Sequence, residues 1–266
     1  MHSRATDRRS ASKCQGKWPD QTLDQAFGLP EVLVAVSTSR LSCKRAGKTR
    51  TLMPVWDSSG ESRNNASARR VSTLNVMHNS ALFLDRDGVI NVDHGYVHRP
   101  DQFEFVDGIF PLARFWANEL RRPIVIVSNQ SGIGRGYFDE KAYADLTRWM
   151  CDRFKAERAA ITRVYHCPYH PVHGIGRYRC DHPWRKPNPG MILQAVADLA
   201  LDPTRCVIVG NNVSDFEAGA AVGLGLRILL AGRPDNRREA APSHEMVADL
   251  NESAGAVAVP LSAGCD

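Results

Sequence analysis

Ala81-Leu82-Phe83-Leu84-Asp85-Arg86-Asp87-Gly88 decides the fold class of this chain. Four apolar residues in a row read as a short strand covered on both faces, the kind found in parallel sheets. Two carboxylates, one residue apart, then end the strand. Charges at the edge of a core need a counter-charge or a metal. Gly88 lets the chain leave the strand at once and lets a ligand approach the backbone closely. Such a device suits chemistry on a phosphate held by a divalent cation.

The same alternation continues downstream. Pro123 to Val127, Val164-Tyr165, Cys206 to Val209 and Leu226 to Leu230 read as further buried strands. Helical patterns separate them. One covers Phe110–Leu120, and after a capping Asp139 the residues Tyr143, Leu146, Met150 and Phe154 recur at helical spacing. Asn188-Pro189 predicts the cap and first residue of a helix over Met191–Leu199, and Ser214 with Glu217 spells a capping box. A weaker helix or strand follows Glu245. Apolar strands alternating with helices predict an α/β fold, a Rossmann-like parallel sheet with helices on both faces. Ligands of such sheets bind outside the carboxyl ends of the strands.

The net charge of +5 is unevenly spread. Residues 1–76 carry 13 Lys and Arg against 6 Asp and Glu, whereas residues 77–266 carry 21 against 23. The basic balance therefore belongs to the Ser/Arg/Asn-rich first segment, which reads as a disordered or dispensable extension ahead of Met77. The 190 residues of 77–266 suffice for one domain with a sizeable core. A nucleic-acid partner is not needed to explain the charge, and no stretch is long and apolar enough for a membrane span. Seven cysteines in no regular framework, without a signal peptide, point to a reducing cytoplasm. A monomer is expected.

Four segments can meet at the strand ends. Asp85 and Asp87 follow the first strand, and Ser128-Asn129-Gln130-Ser131 follows the second. Lys186 precedes a helix, and Gly210-Asn211-Asn212-Val213-Ser214-Asp215 follows the fourth strand. Asp85 can attack phosphorus and form an acyl-phosphate, while Asp87 protonates the leaving oxygen and later deprotonates water. Ser128, the backbone N–H groups of Asn129 to Ser131, Lys186 and Asn212 form the phosphate-side set. Mg²⁺, which takes oxygen ligands, would offset the mutual repulsion of these acids and the phosphate. Each piece alone has a plainer explanation, such as a turn, a surface lysine or a helix cap. Their order at successive strand ends favours a site. Gly132-x-Gly134-x-Gly136 follows the second strand rather than opening the first βαβ unit, and reads as a flexible loop on the phosphate side. A separate Zn²⁺ site is suggested by Cys167-x-x-His170 and Cys180-x-His182, two sulfurs and two imidazoles closing an irregular loop.

Phe83 to Val97, with its Asp93-His94-Gly95-Tyr96, resembles the start of bacterial D-glycero-D-manno-heptose 1,7-bisphosphate phosphatases of the haloacid dehalogenase (HAD) superfamily. Ser128 to Ile133 and Cys180 to Pro187 continue the likeness, which covers Ala81 to Gly232. The resemblance implies a nearly capless domain using Mg²⁺ and a structural zinc. It implies removal of the 7-phosphate of a heptose bisphosphate on the way to nucleotide-heptose for lipopolysaccharide. Carried over, Asp85 is nucleophile and Asp87 general acid/base. Asp93, His94, Gly95, Tyr96, Ser128 to Ser131, Arg185 and Lys186 contact substrate. Three departures stand out. Tyr169 fills the place where the family's zinc loop often has histidine. His182 replaces a cysteine, with Pro183-Trp184 inserted after it. Asn211 stands where an aspartate commonly binds magnesium, so the Mg²⁺ ligands that the resemblance implies are Asp85, Asp87, Asn211 and Asp215, with weaker binding for the lost charge. Histidinol-phosphate phosphatase, or another small sugar-phosphate phosphatase, is the alternative enzyme. A non-catalytic sugar-phosphate binder is the alternative of another class.

Overall fold

The computed structural model describes residues 79–230, 245–247 and 250. The extension expected to be dispensable, residues 1–76, lies outside them. Six parallel strands form one sheet: β1 (Leu82–Leu84), β2 (Ile124–Asn129), β3 (Arg163–Cys167), β4 (Val207–Gly210), β5 (Leu226–Leu230) and β6 (Glu245–Val247). Their spatial order is β3-β2-β1-β4-β5-β6. The chain therefore reverses its winding between β1 and β4, which opens a crevice at the carboxyl ends of those two strands. The element expected after Glu245 is the edge strand β6.

Alternation along each strand divides the interior in two. Leu82, Leu84, Ile124, Ile126, Val207 and Val209 face one core. Ile109 and Leu112 of α1 (Ile109–Arg114) cover it, with Leu146, Met150 and Phe154 of α3 (Glu140–Ala156). Phe83, Val125, Val127 and Ile208 face the other core, covered by Met191, Ile192 and Ala195 of α4 (Gly190–Asp198) and Ala218 of α5 (Val213–Val222). Burying each such side chain contributes about 1.5–3 kcal/mol, so both faces of β1 are anchored where its acidic end must be held. Asp139 caps α3 as expected, its carboxylate accepting from Ala142 N at 2.7 Å.

Local expectations needed correction in several places. The helix read over Phe110–Leu120 is α only over Ile109–Arg114 and widens to a π turn over Phe115–Glu119. That turn lets the buried Trp116 donate its Nε1–H to Pro123 O at 3.1 Å. The cap of α4 is not Asn188, whose amide donates instead to His182 O at 3.1 Å. The capping box of α5 is not Ser214 with Glu217. Asn212 accepts from Ser214 N at 3.0 Å, and Asp215 accepts from Asn212 N at 3.1 Å. The glycine-rich stretch is not a loose loop. Ser131–Gly134 forms a short helix, α2. A Cβ on Gly132 would lie 2.3 Å from the Phe138 ring, and one on Gly134 would lie 2.3 Å from Pro168 O. These glycines serve close packing.

Candidate active site

At the end of β1 the Asp85 amide donates to Val209 O at 3.1 Å, tying the acidic turn to β4. Its carboxylate accepts from Lys186 Nζ at 2.8 Å. The same ammonium reaches Asp215 Oδ1 at 2.6 Å and Val127 O at 2.7 Å, so its three donors are spent on three elements. All three ionic side chains are buried. Burial carries the Asp85 carboxyl up to about 7 against the pull of Lys186, and the charges of Asp215 and Asp87 add to the rise. Burial alone would lower the Lys186 ammonium, but Asp215 and Asp85 hold it above its usual value. One lysine faces two buried acids, and the surplus negative charge calls for a cation.

Asp87 is held apart from that cluster. Arg86 forks onto it with Nη2 at 2.7 and 2.9 Å from its two oxygens. Gln130 donates at 2.8 Å and Asn91 at 3.2 Å. The Arg86 guanidinium is buried, donates also to Val97 O at 2.8 Å, and lies 5.9 Å from the Tyr143 ring centroid. Asp87 opens onto a cavity of about 300 Å³ lined also by Asp93, Gly95, Tyr96, Asn129, Gln130 and Ser131.

Several expected contacts take other positions. Gln130 donates to Ser128 Oγ as well as to Asp87, both at 2.8 Å, so it orients two site groups at once. Asn129 accepts from Lys186 N and donates to Lys186 O, both at 3.0 Å, gripping the lysine's backbone from both sides. His94 turns toward Glu104 at 3.3 Å, Arg185 donates to Tyr169 O at 3.2 Å, and Asn212 caps α5. None of these three lines the cavity. Arg86 and Asn91 were missed as holders of Asp87. The only signal in the sequence was their nearness to it, which does not say where a side chain points.

The proposed magnesium ligands fit that ion in chemistry. Asp85, Asp87, Asn211 and Asp215 offer the hard oxygens it takes. A Cβ on Gly88 would lie 1.8 Å from Asn211 Nδ2, so the glycine makes room for the amide to lie against the acidic turn. Among the described residues no three acidic, His or Cys side chains already close on one point.

The expected zinc site does not fit. Cys180 is disulfide-bonded, while Cys167 is a free buried thiol that burial pushes up to about 12. His170 Nδ1 accepts the amides of Val172 and His173, and His182 Nδ1 accepts that of Trp184. Burial lowers both imidazoles to about 4. Cys180 is thus committed to a disulfide and both histidines already use Nδ1, which leaves Cys167 as the one uncommitted donor of the four.

A larger hollow of about 540 Å³ lies beside the residues that lead into β2 and β3, lined by Arg121, Arg122, Lys155 and Arg158 among others. Lys155 and Arg158 sit at the carboxyl end of α3, where cations complement the helix dipole. This hollow lies away from the acidic strand ends. No helix among the described residues is long and apolar enough to cross a membrane.

A family model described as HAD-hydrolase-like matches residues 183–253. The D-glycero-alpha-D-manno-heptose-1,7-bisphosphate 7-phosphatase of Burkholderia mallei is 49% identical over 167 residues, covering 63% of this chain and 88% of that protein. The D-glycero-beta-D-manno-heptose-1,7-bisphosphate 7-phosphatase of Haemophilus influenzae is 42% identical over 160 residues, covering 59% and 84%. A solved HAD-like phosphatase from Mesorhizobium loti aligns with a TM-score of 0.62 at 36% identity, over 70% of this chain and 87% of that one. The D,D-heptose 1,7-bisphosphate phosphatase of B. bronchiseptica, complexed with magnesium and phosphate, aligns with a TM-score of 0.59 at 24% identity, over 67% and 98%. This last likeness bears on the fold.

Proposed function

The chain belongs to the D-glycero-D-manno-heptose-1,7-bisphosphate 7-phosphatases, a family of HAD-type phosphoric monoester hydrolases, and from that premise we propose how its own residues remove the 7-phosphate. Asp85 attacks phosphorus. The bond from its oxygen to phosphorus forms as the bond from phosphorus to the sugar O7 breaks. Asp87 delivers a proton to the departing O7, then takes one from the water that hydrolyses the aspartyl-phosphate. Lys186 and Ser128 steady the equatorial oxygens, where charge collects in the transition state. Asp93, Gly95 and Tyr96, which line the cavity beside Asp87, would contact the sugar. Asp85, Asp87, Asn211 and Asp215 would hold a divalent cation of the magnesium type, which offsets the repulsion between these acids and the phosphate. Zinc has no part in this scheme, because Cys180 is held in a disulfide and His170 and His182 already use Nδ1 to accept backbone amides.

The observation that carries the proposal is the buried Asp85–Lys186–Asp215 cluster beside a separately held Asp87. One buried acid short of a counter-charge suits a nucleophile, and a second acid at the cavity wall suits a proton carrier. We assign the activity to residues 77–266, working as a cytoplasmic monomer on a small sugar phosphate ahead of nucleotide-heptose formation. The test is phosphate release from both anomers of the heptose bisphosphate and from histidinol phosphate. The expected result is release of one phosphate per heptose, leaving the 1-phosphate, and complete loss in Asp85→Ala. Faster turnover of histidinol phosphate, or hydrolysis surviving Asp85→Ala, would overturn the proposal.

A further inference from the structure

Between β3 and α4 the loop that carries the expected zinc donors is built around aromatic rings. Tyr178 packs on Tyr169 with centroids 5.6 Å apart, and Tyr169 stacks on His182 at 4.2 Å with the planes only 7° apart. His182 meets Trp184 at 6.3 Å and 89°, and Trp184 meets Tyr165 of β3 at 6.0 Å and 74°. These are the offset and edge-on separations at which rings attract. Tyr169, His182 and Tyr165 are buried. Two of the three departures noted in the sequence supply rings to this ladder: Tyr169 in place of an imidazole, and Trp184 from the inserted pair.

The ladder leads directly to the lysine. His182 O accepts from Arg185 N at 3.0 Å and from Asn188 Nδ2 at 3.1 Å, while Tyr169 O accepts from Arg185 Nη1 at 3.2 Å. Pro183 O accepts from Gly190 N at 3.0 Å, and a Cβ on Gly190 would lie 2.7 Å from the Trp184 ring. The start of α4 therefore rests on the ladder, and Lys186 lies between the ladder's grip on Arg185 and its grip on Asn188.

We propose that the ladder does the work a metal clip would do: the loop is zinc-free, and Tyr169, His182 and Trp184 are positioning residues that seat Lys186. The positioning half rests on the role given to Lys186 above, whereas the zinc-free half does not. The test uses the full chain, exposed to zinc, freed of excess by gel filtration and analysed for bound metal. Far less than one zinc per chain is expected, with a melting temperature unmoved by a zinc-selective chelator. Activity then compares two changes at one position. His182→Ala is expected to lower kcat about tenfold or more with KM changed less. His182→Phe, which keeps a ring in the stack, is expected to restore kcat to within about threefold of the parent. One chelatable zinc per chain would overturn the proposal, as would a His182→Phe protein no better than His182→Ala. If His182→Ala does not fold, the zinc content and the activity of His182→Phe still decide. A zinc-free protein inactive on heptose bisphosphate would sink the assigned substrate and leave the zinc-free loop standing.

Discussion

Replacing Asp85 by asparagine should abolish turnover and stabilise the metal-free protein. Asp85 is buried, and its carboxyl is carried from the ordinary 3.8 to about 7. At about 1.4 kcal/mol for each pH unit, the charged form costs about 4 kcal/mol relative to the neutral one. The sign follows from the direction. An acid that holds its proton more tightly when folded supports the fold below its ordinary value and loses that support as pH rises through about 7. Asparagine is neutral throughout, and Lys186 keeps Asp215 at 2.6 Å and Val127 O at 2.7 Å. Denaturant unfolding in a chelator should therefore show the two proteins nearly equal near the ordinary carboxyl range. The variant should become more stable by up to about 4 kcal/mol above neutrality. Saturating Mg²⁺ should narrow the gap, because the cation offsets the Asp85 charge that the variant lacks. A variant less stable than the parent at about pH 8, or a gap constant with pH, would refute the idea that Asp85 is held under charge stress.

Restoring a carboxylate by Asn211→Asp should tighten Mg²⁺ about tenfold, since the amide beside Gly88 supplies an oxygen without its charge. A metal titration of activity reads this, and saturation of the parent already at low micromolar Mg²⁺ would contradict it. Asn129→Ala removes both bonds to the Lys186 backbone. It should cost about 2 kcal/mol in denaturant unfolding and lower kcat more than it raises KM. A chain beginning at Met77 should match the kcat/KM of the full chain, since the residues placed at the site all lie beyond it.

Much of the fold was legible because buried parallel strands leave an unmistakable trace. Runs such as Ile124 to Val127 have no polar partner face, and the helices between them keep their own period. The acids after β1 and the segments after β2 and β4 were legible for the same reason, since strand ends are where such sheets place ligands. Caps and ligand sets were harder. Ser214 with Glu217 and Asn212 with Asp215 offer similar local chemistry to the same helix, and Asp215 is fixed in place by Lys186 across the molecule. Cys167, His170, Cys180 and His182 had zinc-like spacing, but spacing along a chain does not show that Tyr169 lies flat on His182.

By itself the sequence determined the alternation of strands and helices, the polarity of the sheet and the acidic turn at the mouth of β1. These follow from local periodicity and from the cost of burying charge. Only the tertiary structure decided which acid pairs with Lys186, that Arg86 and Gln130 hold Asp87, and that Asn129 grips the lysine. It alone decided that rings seat the loop before α4. Those are contacts between residues up to 101 positions apart, as with Lys186 and Asp85. The direction of a side chain is set there by packing from elements that no local pattern can see.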